Sequence, residues 1–274
     1  MNRFRTLLGV ASAVALIVAC AEVGTAPDVP AAIELPPFAF PSVVVGDTLR
    51  NEAGIATPIR AIVRNSAGAI ITDATPTYLY ADFRRDSAFL VDSTTGVVVA
   101  AKTAPEGRIA ARIGSSLQVI RTLIATVRPD TAFAGPAPAD LIVTLPDTGR
   151  ARAQSNTTPE LPLRVRNRSG ATPVDVQGWL VRFEVIRPAN PTNDTTAAAY
   201  LVDDQFRAST LDTTSASGQA ARRVRVRAAL FPVAQGSARV TDSVVVRATL
   251  SYKGRPVAGS PVRLVGIVIR PASQ

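Results

Sequence analysis

Residues 91–114 read VDSTTGVVVAAKTAPEGRIAARIG, and the reading of this stretch decides the fold. Asp92 to Gly96 is turn chemistry: a short carboxylate that bonds its own backbone, and a glycine free to take the positive φ of a tight reversal. The run VVVAA that follows is rich in β-branched residues and favours a strand. GRIAARIG then leads into the next strand.

The same grammar repeats on either side. Upstream stand VVVGD (43–47), TPIRAIVRNS (57–66), TYLYADF (77–83) and SAFLVD (87–92), and downstream SLQVIRTLIATV (116–127). In TPIRAIVRNS, Ile59, Ala61 and Val63 fall on one face and Arg60 and Arg64 on the other. Seven short runs with turn signals between them, over 41–128, predict an all-β sandwich. RPDTAFAGPAPAD, with three prolines, predicts a linker over 129–139. A second set fills 140–274. LPLRVRNRSG alternates Leu161, Leu163 and Val165 with Arg164 and Arg166. WLVRFEVIR puts Trp179, Val181, Phe183 and Val185 on one face. QAARRVRVRAAL alternates Val224 and Val226 with Arg223, Arg225 and Arg227. Period-two alternation argues for sheets with one buried and one wet face. The fold class is therefore all-β, with two sandwiches in tandem.

Residues 91–114 resemble the core signature of the second group of bacterial immunoglobulin-like domains, and VVVGDTLR (43–50) is similar to that group's first strand with its Gly-Asp turn. VRNRSGATPVDVQGWLVRFEV (165–185) and DTTSASGQAARRVRVRA (212–228) resemble the first group, the invasin and intimin type. The resemblance implies two immunoglobulin-like sandwiches, the second carrying an insertion near 187–215. It also implies a role in adhesion or spacing, although the membrane barrel and terminal lectin-like domain of the large adhesins have no counterpart in this sequence.

The N-terminus, MNRFRTLLGVASAVALIVAC, joins Arg3 and Arg5 to an uncharged run from Leu7 to Ala19. The run is shorter than the roughly 20 residues that cross a bilayer, and its basic start reads as a secretory signal over 1–19. Ile17-Val18-Ala19-Cys20 resembles the lipobox of bacterial lipoproteins. That resemblance implies cleavage before Cys20, a diacylglycerol on its thiol and a third, palmitate-type chain on its amine. Two or more chains anchor stably where one does not. Residue 21 is Ala rather than the Asp that retains lipoproteins at the inner membrane, which favours the outer membrane, on either its periplasmic or its surface face. Residues 20–40, with four prolines, predict a lipidated cysteine and an extended tether that reaches on the order of 60 Å.

The precursor's net charge of +9 becomes +7 when Arg3 and Arg5 leave with the signal. An exported basic chain can meet lipid headgroups, an envelope protein or an acidic cell-surface polymer. The arginines are dispersed among aspartates without interleaved aromatics, so nucleic acid is set aside. With no histidine, and Cys20 the one cysteine, Ser-His-Asp and Cys-His chemistry and zinc sites are excluded. Lys102 and Lys253 complete no Ser-x-x-Lys pattern, and no phosphate loop or dinucleotide turn occurs. Glu184 beside Arg182 reads as a solvated pair, and Asp203 and Asp204 would face opposite ways on a strand. No catalytic residue and no enzyme activity are expected.

Calcium is the site hypothesis with most support, through Asp82 with Asp86, or Asp194 with Asp203 and Asp204. The competing reading makes them turn carboxylates that bond their own backbone, and it is favoured; beyond the covalent lipid on Cys20 no cofactor is expected. The Arg223, Arg225 and Arg227 stripe reads either as a site for an anionic partner or, the favoured reading, as a wet face guarding a sheet edge. Trp179 reads as core. The functions that follow are a non-enzymatic envelope spacer, interaction or adhesion module; a periplasmic accessory subunit docked on another envelope protein; or a carbohydrate- or peptidoglycan-binding module. The scarcity of expected exposed aromatics counts against the last.

Overall fold

The computed structural model describes residues 28–38, 40–82, 87–136, 141–142, 156–227, 230 and 240–270. The regular elements among them are all strands. The first unit holds β1 (Ala32–Glu34), β2 (Ser42–Val44), β3 (Ile62–Arg64), β4 (Thr77–Tyr80), β5 (Phe89–Val91), β6 (Val98–Ala100), β7 (Ala104–Ile113) and β8 (Leu117–Thr126). A sheet in the order β2-β8-β7-β4, with β2 parallel to β8, packs on two antiparallel ribbons, β1 with β3 and β5 with β6. Phe89 and Val98 from the ribbons meet Ile109 and Leu123 from the sheet in one core.

The second unit holds β9 (Thr131–Ala134), β10 (Leu141–Ile142), β11 (Leu161–Asn167), β12 (Val174–Asp175), β13 (Leu180–Arg187), β14 (Ala189–Asn190), β15 (Ala199–Val202), β16 (Leu211–Thr213), β17 (Gln219–Val226), β18 (Val240–Thr249), β19 (Ser251–Tyr252), β20 (Arg255–Pro256) and β21 (Val262–Arg270). One sheet runs β12-β11-β17-β15, with β9 also on β11. The other runs β10-β21-β18-β13, with β14 and β16 also on β13. Strands β9, β11, β17 and β15 facing β21, β18 and β13 reproduce the two-sheet order of an immunoglobulin-type sandwich. Leu163, Leu201 and Val224 of one sheet pack against Val181, Phe183 and Val246 of the other.

Three expectations drawn from the sequence are corrected here. The stretch read as tether up to residue 40 contains β1, which pairs antiparallel with β3; Pro30 precedes the strand and Pro36 and Pro37 follow it, so none interrupts it. The stretch read as a linker over 129–139 contains β9, paired with β11 and flanked by Pro129 and Pro136, so the connection between units shrinks to residues 127–130. The supposed insertion near 187–215 supplies β15, which pairs with β17, and β16, which pairs with β13. It is part of the second sandwich. Residues 1–19, Cys20 and Asp86 lie outside the described residues. No helix among the described residues is long and apolar enough to cross a membrane.

The turn of the decisive stretch is built as its sequence implies. Asp92 Oδ1 accepts from the Thr94 and Thr95 N–H groups at 3.0 and 2.7 Å, and Gly96 takes a φ of +71°. A Cβ on Gly96 would stand 2.5 Å from the Ile59 carbonyl oxygen, so neither conformation nor space admits a side chain. Gly96→Ala is expected to lower stability by about 1–3 kcal/mol, seen as a lower denaturant midpoint with an unchanged m-value.

Candidate functional site

The residue group with the most convergent geometry lies where the two sandwiches meet. Phe40, just ahead of β2, packs on Trp179 with ring centroids 4.6 Å apart, and Trp179 meets Tyr252 of the β19–β20 hairpin edge-on at 5.9 Å. Phe40, between β1 and β2, and Val44, on β2, belong to the first unit in sequence yet to the core of the second. Approach at the contact is close. A Cβ on Gly178 would stand 2.7 Å from Ile124 Cδ1 of β8, and one on Gly54 would stand 2.2 Å from the Gly254 nitrogen in the hairpin turn.

Asp47 sits beside the aromatic cluster, its side chain 10% exposed. Its carboxylate accepts from Arg50 Nε and Nη2 at 2.9 and 2.7 Å, from the Thr48 N–H at 2.9 Å and from the Tyr252 hydroxyl at 2.9 Å. Lys253 Nζ stands 3.3 Å away. One carboxylate thus binds Arg50 of its own unit and two residues of the other. Burial works to raise the Asp47 pKa, but the bonds from Arg50, Thr48 and Tyr252 and the Arg50 charge hold it well below the usual carboxylate range. Burial, with the Asp47 carboxylate as acceptor and neighbouring charge, pushes the Tyr252 phenol up to about 12. At the rim, Arg182 pairs with Glu52 across the units at 2.7 Å. Trp179 Nε1 and Ser42 Oγ are buried without a hydrogen-bond partner among the described residues. Both line one small cavity of about 20 Å³, room for a single water.

The connection between units is tied down as well. Asn167 Nδ2 donates to the Arg128 carbonyl at 2.8 Å. Asp130 accepts from the Arg168 N–H at 2.7 Å, the Ser169 hydroxyl at 3.1 Å and the Thr131 hydroxyl at 3.0 Å.

The residues singled out from the sequence are placed as follows. Trp179 is 4% exposed and aligned with Val181, Phe183 and Val185, all buried; its aromatic partners come from the other unit and from the hairpin. Asp194 accepts from the Thr196 N–H and hydroxyl at 2.8 Å, and Asp203 from the Gln205 and Arg207 N–H groups at 2.9 Å. Asp82 is held by Arg108, at 2.9 Å from its N–H and 2.6 Å from its Nε. Asp204 lies 3.8 Å from Arg223 Nε. These aspartates serve separate turns and ion pairs. The arginine stripe differs from its expected form. Its strand, β17, runs between β11 and β15 and guards no edge. Arg223 pairs with Glu160 at 3.1 Å, Arg225 is buried, and Arg227 Nε donates to the Thr195 carbonyl at 2.7 Å. Nothing in the local sequence marks Phe40, Asp47 or Tyr252 as site residues. The Gly-Asp turn at 46–47 signals a reversal at Asp47, but its hydroxyl donor lies 205 residues away.

No family model matches this chain, and no curated protein matches it. Among solved structures, domains 4–9 of the surface-layer protein SbsC align over 88% of this chain at 11% identity with a TM-score of 0.28; the chain spans 31% of that segment. The Yersinia pseudotuberculosis adhesin InvE aligns over 87% at 12% identity and 0.30, the chain spanning 58% of it. The D0–D1 domains of intimin align over 89% at 10% identity and 0.25, with 99% of that segment spanned. At these identities and scores nothing of those proteins' activities or partners transfers to this chain.

Two outcomes are expected at the junction. Trp179→Ala removes an aromatic held from both units and is expected to cost about 3–5 kcal/mol in denaturant unfolding of the whole chain. The pH dependence follows from the signs of the two shifts. The lowered Asp47 contributes fully at neutral pH and loses that contribution on acidification below about pH 4; the raised Tyr252 contributes fully below about pH 10 and loses it as pH climbs toward its folded value. An ultraviolet titration is expected to show a tyrosinate step near pH 12 that is absent in Tyr252→Phe.

Proposed function

We propose that the chain is an exported bacterial lipoprotein that holds two immunoglobulin-like sandwiches as one stiff, non-enzymatic spacer and interaction module of the cell envelope, displayed as an adhesin-like surface. The observation that carries this reading is the junction. A core continuous through Phe40 and Trp179, a buried carboxylate bound from both sides and a connection of four residues (127–130) oppose bending. A spacer needs that stiffness, because a flexible joint would collapse the distance it is meant to hold. Cys20 supplies the membrane anchor, and the outer membrane is the favoured address. The non-enzymatic reading is supported by the carboxylates, since Glu184, bound to Arg247 at 2.5 Å, and Asp203, bound to Arg207 at 2.8 Å, serve ion pairs rather than a shared cleft.

Protease shaving of intact cells, beside lysed cells and a Cys20→Ala strain, tests the reading. The wild-type chain is expected to be clipped on whole cells, and the Cys20→Ala chain to leave the membrane fraction. A chain protected until lysis yet anchored through Cys20 would move the function to a periplasmic accessory subunit. A Cys20→Ala chain that stays in the membrane fraction would overturn the anchor.

A further inference from the structure

β15 stands at the end of its sheet, with β17 on one side of it. Leu201 and Val224 face each other as a pair whose backbone groups turn apart. The Val224 N–H and C=O bond to Thr158, and the Leu201 N–H and C=O point out of the sheet. An edge of this kind invites another strand. At the other end of the sheet β12 is blunted by its length of two residues and by the charge of Asp175. β15 has neither device. Thr195–Val202 reads TTAAAYLV, without charge or proline, a composition that readily pairs with copies of itself.

Two asparagines close this edge. Asn193 Oδ1 accepts from the Leu201 N–H at 2.6 Å, and Asn193 Nδ2 donates to the Leu201 carbonyl at 3.1 Å. One side-chain amide thus presents the donor and the acceptor that a neighbouring strand would present. The Ser209 N–H shares the same carbonyl at 3.2 Å. Asn190, 5% exposed, donates to the Ala199 carbonyl at 2.8 Å and the Asp194 carbonyl at 3.0 Å, and accepts from the Asp194 N–H at 2.8 Å. It clamps the loop that carries Asn193. Arg227 Nε, on the Thr195 carbonyl at 2.7 Å, ties down the loop's other side. Asn193 holds a φ of +53°, a conformation that asparagine adopts more readily than most residues.

We propose that the loop of residues 190–197 is a guard: Asn193, positioned by Asn190, occupies the β15 edge in place of a strand and keeps a second copy of this chain from adding its own β15 there. A second copy is the partner excluded because two such edges match by construction. Both are uncharged, so antiparallel pairing sets no like charges opposite each other. The guard differs from an ordinary loop tie in its consequence: losing it is read as association and not only as lost stability. The inference does not rest on the spacer reading, since it concerns one edge of the second sandwich.

The test is sedimentation velocity of the full chain carrying Cys20→Ala, between about 5 and about 200 µM, beside variants in the same background. Asn193→Gly removes the amide and keeps the backbone free to hold its positive φ. It is expected to shift toward a species of twice the parent's mass as concentration rises, while the parent does not. Adding Tyr200→Lys, which sets a charge on the exposed side of the strand, is expected to return Asn193→Gly to the parent's behaviour. Gly96→Ala, which weakens the other sandwich, is expected to sediment as the parent does. Hydrogen exchange supplies a measurement that needs no variant: the Leu201 amide of the parent is expected to exchange as slowly as that of Val226, at a rate independent of concentration. The inference is overturned if Asn193→Gly stays monomeric throughout, if Gly96→Ala associates equally, or if Tyr200→Lys leaves the association unchanged. It is equally overturned if the parent's Leu201 amide exchanges as fast as those of exposed turns.

Discussion

The contact between Phe40 and Trp179 is the constraint on which the arrangement of the two sandwiches depends. Phe40 leaves the first unit just ahead of β2 and enters the apolar core of the second, so the second unit does not finish its core without the first. Burying two large aromatic faces at one point supplies a strong but poorly directional attraction. Direction comes from the neighbouring polar cluster. Asp47 tolerates burial because four donors in fixed positions satisfy it, and those positions exist together only when the β19–β20 hairpin stands where it does. Gly54 then allows the two backbones to close to a distance that no side chain would permit, and Gly178 leaves room for Ile124 of β8. The apolar contact holds the units together, and the carboxylate and the glycines set the angle.

Arginine shows the same division of labour across the molecule. Nearly all the positive charge of this basic chain is arginine, yet much of it on the second sandwich is spent internally. Arg222, with a side chain 9% exposed, lies 3.1 Å from Asp212; Arg166 pairs with Asp175 at 2.7 Å and Arg187 with Asp242 at 3.2 Å. Arg166 and Arg187 bridge adjacent strands, β11 to β12 and β13 to β18, and Arg222 bridges β17 to β16 of the other sheet. The two more exposed pairs, Arg166 with Asp175 and Arg187 with Asp242, each add little to stability. Their effect is to fix side-chain positions on the strands they join rather than to add much free energy.

The strand grammar was legible because it is local. The seven runs read over 41–128 correspond to β2 through β8, and the alternation in 179–185 and 161–165 reports which side chains are buried. Where local pattern fails, the cause is a remote partner. Residues 32–34 and 131–134 are too short and too close to prolines to declare themselves; they become strands because β3 and β11 present free edges to them. The stripe at 223–227 alternates as a wet face does, but a period of two cannot say whether a strand is central or at an edge, nor that Glu160 waits opposite Arg223. Asp47 is the extreme case. A Gly-Asp turn signals a reversal and says nothing of a tyrosine 205 residues on.

The junction also couples the units thermodynamically. Its contacts come from separate segments: Asn167 holds the Arg128 carbonyl in the connection, Phe40 packs on Trp179, and Asp47 takes Tyr252 and Lys253 of the hairpin. Parting the units would uncover the Phe40 and Trp179 rings and leave Asp47 with only the donors of its own unit, Arg50 and Thr48. The two losses come together, because the tilted aromatic pair and the carboxylate share Tyr252 as a neighbour. Linkage then requires that whatever binds the docked form in preference to the parted one stabilises the junction by the same free energy.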